Sequence, residues 1–414
     1  MIITFTTPRV LIYLIYELLI HYKIKSTIMK RPHLVHFLAI VTDDSINIKA
    51  SITLKENLMA QNLELDLPTP KFPIQALRLL NAYQFTMKII GVTKDQKEIY
   101  KKSFESDSFG NFNFKIPKTQ ERDQIEILHL YEIKKRPGLE LHLGTYIPLR
   151  IFSPKKLIIC DFDKTLVDTK YSTTKEVYRS LTRPLDVNPT VASSVNILHR
   201  YIKMGHHPFI LSASPHFYED SIRDWLYKNN IFSAGIFLKD YRHFFSFLEG
   251  ELTTKDLKSQ GLYKLNHLLD ILLMTGIPDE LILMGDNFES DPAIYLTLAK
   301  ILREDIDPWV IWNNIKEQDI FQLKKKQNSQ FLNKIYQLDN LLSRKRKNKN
   351  AKKTAIKIYI RKRFRNDAII PPEIFSKQKK LLDLIEMYDG LYQDEFERLQ
   401  LAQEKSVTGA DNTI

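Results

Sequence analysis

Cysteine is nearly absent: Cys160 is the only one in 414 residues. A single thiol rules out an internal disulfide and any zinc site built on paired cysteines, and it fits a reducing, cytoplasmic compartment. Long apolar runs are missing too. The best of them, Val10 to Tyr22, is interrupted by Glu17 and falls short of the roughly 20 residues that cross a bilayer. It lacks a basic start followed by a small-residue cleavage site, so it does not read as a signal peptide. Residues 1–32 are open to two readings. One is a mis-assigned leader, since Met29 offers a second start. The other is an amphipathic helix lying on a membrane. The scattered histidines, such as His129 and His142, have no metal-ligand spacing and read as structural or surface residues. No internal repeat is visible.

What is present is ample apolar material, 43% of the chain with 11% aromatic, and a net charge of +12 that favours anionic partners. The length predicts two or three domains. Residues 33–150 read as a β-rich domain, with weakly marked short strands up to 70 and a proline-rich connection at Asp66 to Pro73. Phe85, Met87 and Ile89 alternate, as do Phe112, Phe114 and Ile116 after the turn-rich Asp107–Asn111 stretch. Ile125 to Ile133 and Leu139 to Leu143 add two more candidates, and strands at this spacing predict a small β-sandwich.

From residue 151 to 306 the pattern changes to strand-then-helix. Apolar runs at Leu157–Cys160, Pro208–Leu211, Gly235–Leu238 and Leu281–Met284 alternate with helical faces. Those faces are Val191/Val195/Leu198/Ile202 behind an Asn188-Pro189 start, Tyr218/Ile222/Trp225/Leu226, Leu262/Leu265/Leu269/Leu272, and Asp291 to Leu302. Such alternation predicts an α/β fold with a Rossmann-like parallel sheet. Residues 307–414 read as a helical, basic extension. Within it, Arg344 to Lys353 reads as a solvated run, and Leu381, Leu384, Ile385 and Tyr388 mark a last amphipathic helix.

The chemistry-bearing residues lie where these strands end. LIICDFDKTLVDT places Asp161 and Asp163 at the end of a buried strand, two residues apart and so able to face one site. Paired carboxylates are costly unless they share a cation. Ser212 ends the second strand, and Asp286 and Asn287 end another, with Asp291 just after. In a parallel sheet these ends fall on one edge. Carboxylate oxygens of Asp161 and Asp286, with the backbone carbonyl of Asp163, form an oxygen set suited to Mg²⁺.

DFDKT, the serine after FIL, a following lysine and GDNFESD resemble, in that order, the motifs of the haloacid dehalogenase (HAD) superfamily of aspartate-nucleophile phosphatases. SASPHFY, YKL and GDNFESDPAIY further resemble the catalytic domain of actin-patch-type phosphatidate phosphatases and their bacterial relatives. The resemblance spans roughly Lys156 to Leu302 and implies a HAD-like, Mg²⁺-dependent phosphatase releasing diacylglycerol from phosphatidate. It implies Asp161 as the nucleophile forming an aspartyl-phosphate and Asp163 as the acid, then base. Thr165 would support the motif loop, and Ser212 would bond the phosphoryl oxygens. Lys264 would neutralise them, with Lys255 and Lys258 as competitors. Asp286 would ligate the metal, with Asn287 and Asp291 supporting. Lys164 stands where the family often has an aspartate, which bears on substrate.

No domain-sized insert separates Thr165 from Ser212, and Lys239 to Gly261 offers only a modest lid, so the site suits a bulky substrate. A lipid headgroup qualifies, and so does a phosphoprotein or a nucleic acid end; an inactive scaffold is the reading from another class. Ser214 and His216 read equally as substrate contacts or as a helix cap. The basic run after Arg344 has few aromatics for stacking, which disfavours nucleic acid. A peripheral contact with an anionic membrane is the sharper expectation for it, at about 1 kcal/mol per basic residue.

Overall fold

The computed structural model describes residues 30–56, 83–120, 122–135, 138–169, 185–215, 218–239, 260–287, 290–316, 318, 321, 328–347, 352–362, 375 and 378–389. The readings for residues 1–28, the 66–73 connection, His216, Lys255, Lys258, the 240–259 part of the lid and the tail after 389 lie outside them. Among the described residues no helix is long and apolar enough to cross a membrane.

The N-terminal part has two long strands where the sequence predicts short ones: β1 (Lys30–Val41) and β2 (Ser45–Glu56), twelve residues each. They form a hairpin closed by Thr42 N–H donating to Ser45 O at 2.8 Å. Then come β3 (Thr86–Val92), β4 (Glu98–Glu105), β5 (Asn111–Pro117), β6 (Ile127–Glu132), β7 (Leu141–Tyr146) and β8 (Leu149–Arg150). Two four-stranded sheets result, ordered β5-β2-β1-β8 and β4-β3-β6-β7. Ile46, Ile48 and Ile52 of one and Met87, Ile89, Leu128 and Leu130 of the other share one buried core. The turn before β5 is built as its residues dictate. Asp107 Oδ1 accepts from the N–H groups of Phe109 and Asn111, and Gly110 takes φ +80 where a Cβ would lie 2.1 Å from Ile52 O.

Strand β1 explains its own apolar run. Ala39 and Val41 face the sandwich core, whereas Leu38 and Ile40 pack into the core of the second part. A strand covered on both faces has no polar side to show.

The second part holds β9 (Lys156–Asp161), α1 (Ala192–Lys203), β10 (His207–Pro215), α2 (Glu219–Lys228), β11 (Gly235–Lys239), α3 (Gln260–Thr275), β12 (Glu280–Asp286), α4 (Asp291–Arg303), α5 (Pro308–Lys316), α6 (Asn328–Lys347), β13 (Ala355–Arg361), α7 (Lys379–Leu382) and β14 (Ile385–Tyr388). Its six strands are all parallel, in the order β11-β10-β9-β12-β13-β14. Central β9 is buried on both faces: Leu157 and Ile159 meet α3 to α6 on one side, and Ile158 and Cys160 meet α1 and α2 on the other.

Four sequence expectations differ from this. Asn188-Pro189 does not start α1. Thr190 instead bridges to Val167, and Val191 N–H bonds Leu166 O, so the chain stays extended until Ala192. Residues after 307 are not a purely helical extension: Ala355–Arg361 and Ile385–Tyr388 are strands that complete the sheet. AIKIYIR is a short, β-branched run, and its lysine and arginine mask that signal. The expected last helix splits, because pairing of Ile385 to Tyr388 with β13 overrides the helical spacing. Arg344–Lys347 are not a loose run but the last turn of α6. There Lys345 Nζ donates to Asp279 Oδ1 at 2.9 Å and Pro278 O at 2.8 Å, and Arg346 pairs with Asp305. Basic side chains at a helix C-terminus also complement its dipole.

Candidate active site

Because the sheet is parallel, the ends of β9, β10, β12 and β13 share one edge, and the polar residues that close these strands meet there. Asp161 ends β9, and Phe162 N–H bonds Leu211 O of β10 at 3.1 Å. The chain then makes a tight turn: Lys164 N–H donates to Val167 O at 2.7 Å, and Lys164 takes φ +60. The turn points Thr165 inward, where its Oγ1 donates to Asp161 Oδ2 at 3.2 Å.

Asp163 faces β10. Ser212 Oγ donates to its Oδ2 at 2.6 Å, Ser214 Oγ to the same oxygen at 2.9 Å, and Thr169 Oγ1 to its Oδ1 at 3.2 Å. Ser212 therefore bonds Asp163 directly. The Ser214 hydroxyl likewise bonds Asp163. Tyr263 OH donates to Ser212 O at 3.0 Å and ties the strand end to α3.

Asp161, Asp286 and Asp291 each offer a carboxylate oxygen within 4.8 Å of the others, and all three are buried. Asp291 thus stands within the carboxylate group itself, whereas the side chain of Asp163 is turned to its hydroxyl donors. Gly285 makes the approach of Asp291 possible, since a Cβ there would lie 2.3 Å from Asp291 Oδ2. Asp286 N–H also bonds that oxygen at 3.3 Å.

Among the described residues a lysine reaches into this group. Lys264, from the first turns of α3, is 1% exposed, and its Nζ lies 2.9 Å from Asp161 Oδ1 and 2.6 Å from Asp291 Oδ1. Three buried carboxylates held this close repel one another, which is costly unless cations are shared among them. An all-oxygen carboxylate set suits a hard divalent cation. Asp161, Asp286 and Asp291 are the side chains that could hold it.

The structure brings together Asp161, Asp163, Thr165, Ser212, Lys264, Asp286 and Asp291. Asn287 is buried beside them, its N–H bonded to Arg361 O at 3.0 Å. Thr169, Tyr263 and Arg361 join the site without a sequence expectation behind them. Thr169 and Tyr263 lie within stretches that carry motifs, while Arg361 could be found only as the polar end of one more strand. Cys160 is buried behind Asp161, and burial pushes its thiol up, which makes it a core residue and not a nucleophile.

No curated protein matches the chain. Among solved structures, a chain of the Pnkp1/Rnl/Hen1 complex shares 14% identity over 42% of this chain and 53% of its own, with a TM-score of 0.24. A β-glucuronidase from Parabacteroides merdae shares 10% over 85% of this chain and 37% of its own, with a TM-score of 0.25. The chain spans about half the length of the first and less of the second, and similarity at this level carries no argument. The informative match is to a family model: residues 156–313 match that of the catalytic domain of phosphatidate phosphatase APP1. These residues contain every carboxylate, hydroxyl and lysine of the cluster described above. By that match, the segment 156–313 is similar to the catalytic domain of the phosphatidate phosphatase APP1 family, a HAD-like phosphatase domain.

Proposed function

We propose that the chain is a Mg²⁺-dependent phosphatidate phosphatase that works through an aspartyl-phosphate. The observation that carries this reading is the buried group of Asp161, Asp286, Asp291 and Lys264 at one sheet edge, inside the segment that matches a phosphatidate phosphatase catalytic domain. Phosphoryl transfer asks mainly for positioning and charge neutralisation, and this cluster is equipped for both.

In this reading an Asp161 carboxylate oxygen attacks phosphorus while the bond to the diacylglycerol oxygen breaks. Asp163 gives its proton to the departing alkoxide. It then takes a proton from water, whose oxygen attacks the aspartyl-phosphate and restores Asp161. Ser212 and Ser214 suit the change of state at Asp163, because a hydroxyl can donate to a carboxylate or accept from a carboxylic acid. Lys264 offsets charge on the phosphoryl oxygens and pairs with Asp161. A bound Mg²⁺ would supply further charge neutralisation of the phosphoryl group, held by Asp161 and Asp286 with Asp291 beside them. A lipid substrate implies a peripheral encounter with a membrane surface, for which the +12 charge is favourable.

The test is phosphate release from phosphatidate in mixed micelles, with and without Mg²⁺, alongside soluble phosphoesters. Strong Mg²⁺-dependent release from the lipid is expected. Asp161→Asn should lower it by about a thousandfold or more while leaving the melting temperature unchanged or raised. Full turnover by this variant would remove the covalent mechanism, and activity confined to soluble esters would remove the lipid substrate.

A further inference from the structure

Arg361 lies outside the segment that matches the phosphatase family, yet it ends in the middle of the site. It is the last residue of β13 and pairs with Asp286 in the β12–β13 register. Its side chain is 8% exposed. Guanidinium Nη1 donates to the carbonyl oxygen of Lys164 at 2.5 Å and to Asp168 Oδ1 at 3.3 Å. Its own carbonyl accepts the N–H of Asn287 at 3.0 Å. One residue therefore grips both loops that carry site carboxylates: the turn after β9 through its side chain, and the loop after β12 through its backbone.

The contact falls on the one residue of the turn that needs holding. Lys164 has φ +60, a left-handed conformation that is unfavourable for a non-glycine residue. Lysine has no short polar side chain with which to offset that cost locally, as Asn or Asp can. Such backbone persists where its surroundings over-determine it. Here the Lys164 N–H is taken by Val167 O and the Lys164 carbonyl by Arg361. Asp163 and Thr165 are its two neighbours. If the peptide at 164 turns, Asp163 moves against Ser212 and Ser214, and Thr165 moves against Asp161.

We propose that Arg361 is a positioning residue of the active site. It holds the Asp163–Val167 turn in its left-handed geometry and couples it to the Asn287 loop. Its effect on turnover rests on the phosphatase reading; its effect on the turn does not.

The experiment compares the full chain with Arg361→Met, Arg361→Lys and the double variant Lys164→Gly/Arg361→Met. Two readouts are taken: amide hydrogen exchange over residues 162–169, and kcat and KM for an aryl phosphate at saturating Mg²⁺. Arg361→Met should speed exchange at Lys164 to Val167 and lower kcat about tenfold or more, with KM within about twofold, since small misplacements cost large factors in rate. Arg361→Lys keeps the charge and one donor and should fall between. Glycine adopts φ +60 without strain, so the double variant should recover part of the lost kcat. Unchanged exchange in Arg361→Met would overturn the proposal. So would a loss confined to KM, which would make Arg361 a substrate contact. If Arg361→Met does not fold, exchange in Arg361→Lys decides on the same terms. A wild-type chain that cleaves no phosphoester would sink the phosphatase reading alone, because the exchange arm would still report on the turn.

Discussion

Gly285 sets the geometry of the carboxylate group without contributing an atom of chemistry to it. A methyl at this position would overlap Asp291 Oδ2 and lie 2.8 Å from Asp291 Cβ, closer than such atoms pack. Backbone holds both residues, one at the end of β12 and the other at the start of α4, so the side chain of Asp291 has to give way. Gly285→Ala should therefore leave the fold standing but spread the three carboxylates. The expected outcome is a rise of about tenfold or more in the Mg²⁺ concentration giving half-maximal activity, with a parallel weakening of Mn²⁺ binding followed by electron paramagnetic resonance. Unchanged metal affinity would mean that Asp291 takes no part in holding the ion. This residue scale is also where the sequence is most legible. Asp161, Asp163, Ser212 and Asp286 each terminate a short apolar run, and a parallel sheet sends such ends to one edge. Arg361 follows the same rule, but its run IKIYI lies among lysines and arginines that read as a solvated surface. Helical spacing places Asp291 on the α4 start, yet nothing in the spacing says that the small Gly285 lets it turn back into the carboxylate group.

At the scale of elements, α3 is the lever between the β-sandwich and the site. Its first turns carry Tyr263 and Lys264, and its later turns carry Asp270, which lies 3.2 Å from Lys49 Nζ of β2 and 2.6 Å from Lys334 Nζ of α6. Asn47 Nδ2 also donates to Met274 O at 2.7 Å. Burial alone would push Asp270 up, but Lys49, the hydrogen bond with His267 and Lys334 hold its carboxyl well below the usual range. Burial and the nearby Lys49 hold His267 down to about 4. The unfolded His267 takes its proton near 6.5, so between about pH 6.5 and 4 the unfolded chain binds more protons, and stability falls as pH drops through that window. The loss amounts to at most about 3–4 kcal/mol. Asp270 adds its own loss only below its unfolded value near 4, as pH falls toward its depressed folded one. Denaturant unfolding at pH 7 and pH 4.5 checks this: His267→Gln should show a shallower decline than the parent, and an identical decline would place the titration elsewhere. Little of this clasp can be read from spacing, because Asn47 and Lys49 lie more than two hundred residues before their partners on α3, and Lys334 comes from a separate helix. What the sequence does carry is the apolar run of β1, which reads as a strand but whose second buried face is set by tertiary contact.

Considered as one molecule, the described chain has no seam at either end of the segment that matches the phosphatase family. A single core holds Leu38 and Ile40 from β1, Leu265 and Leu269 from α3, Phe331, Ile335 and Leu338 from α6, and Ile356, Ile358 and Ile360 from β13. Strand β12 also gives β13 a seven-residue parallel register, so its outer edge is internal to the sheet. A chain cut after Lys316 would strip β13, α6 and β14 together. The three β13 isoleucines alone are worth about 1.5–3 kcal/mol each when buried, a total comparable with the 5–15 kcal/mol by which a typical domain is stable. Such a truncated chain should lose near-UV circular dichroism, bind a hydrophobic dye and aggregate through the exposed β12 edge, although it retains Asp161, Asp163, Ser212, Lys264, Asp286 and Asp291. The full chain should instead unfold in one transition, with tyrosine fluorescence and far-UV dichroism superimposing. A soluble, dye-silent product of the cut would show that the strands after residue 316 are an addition to a core already complete. Its phosphatase activity would then report how much of the site survives without Arg361.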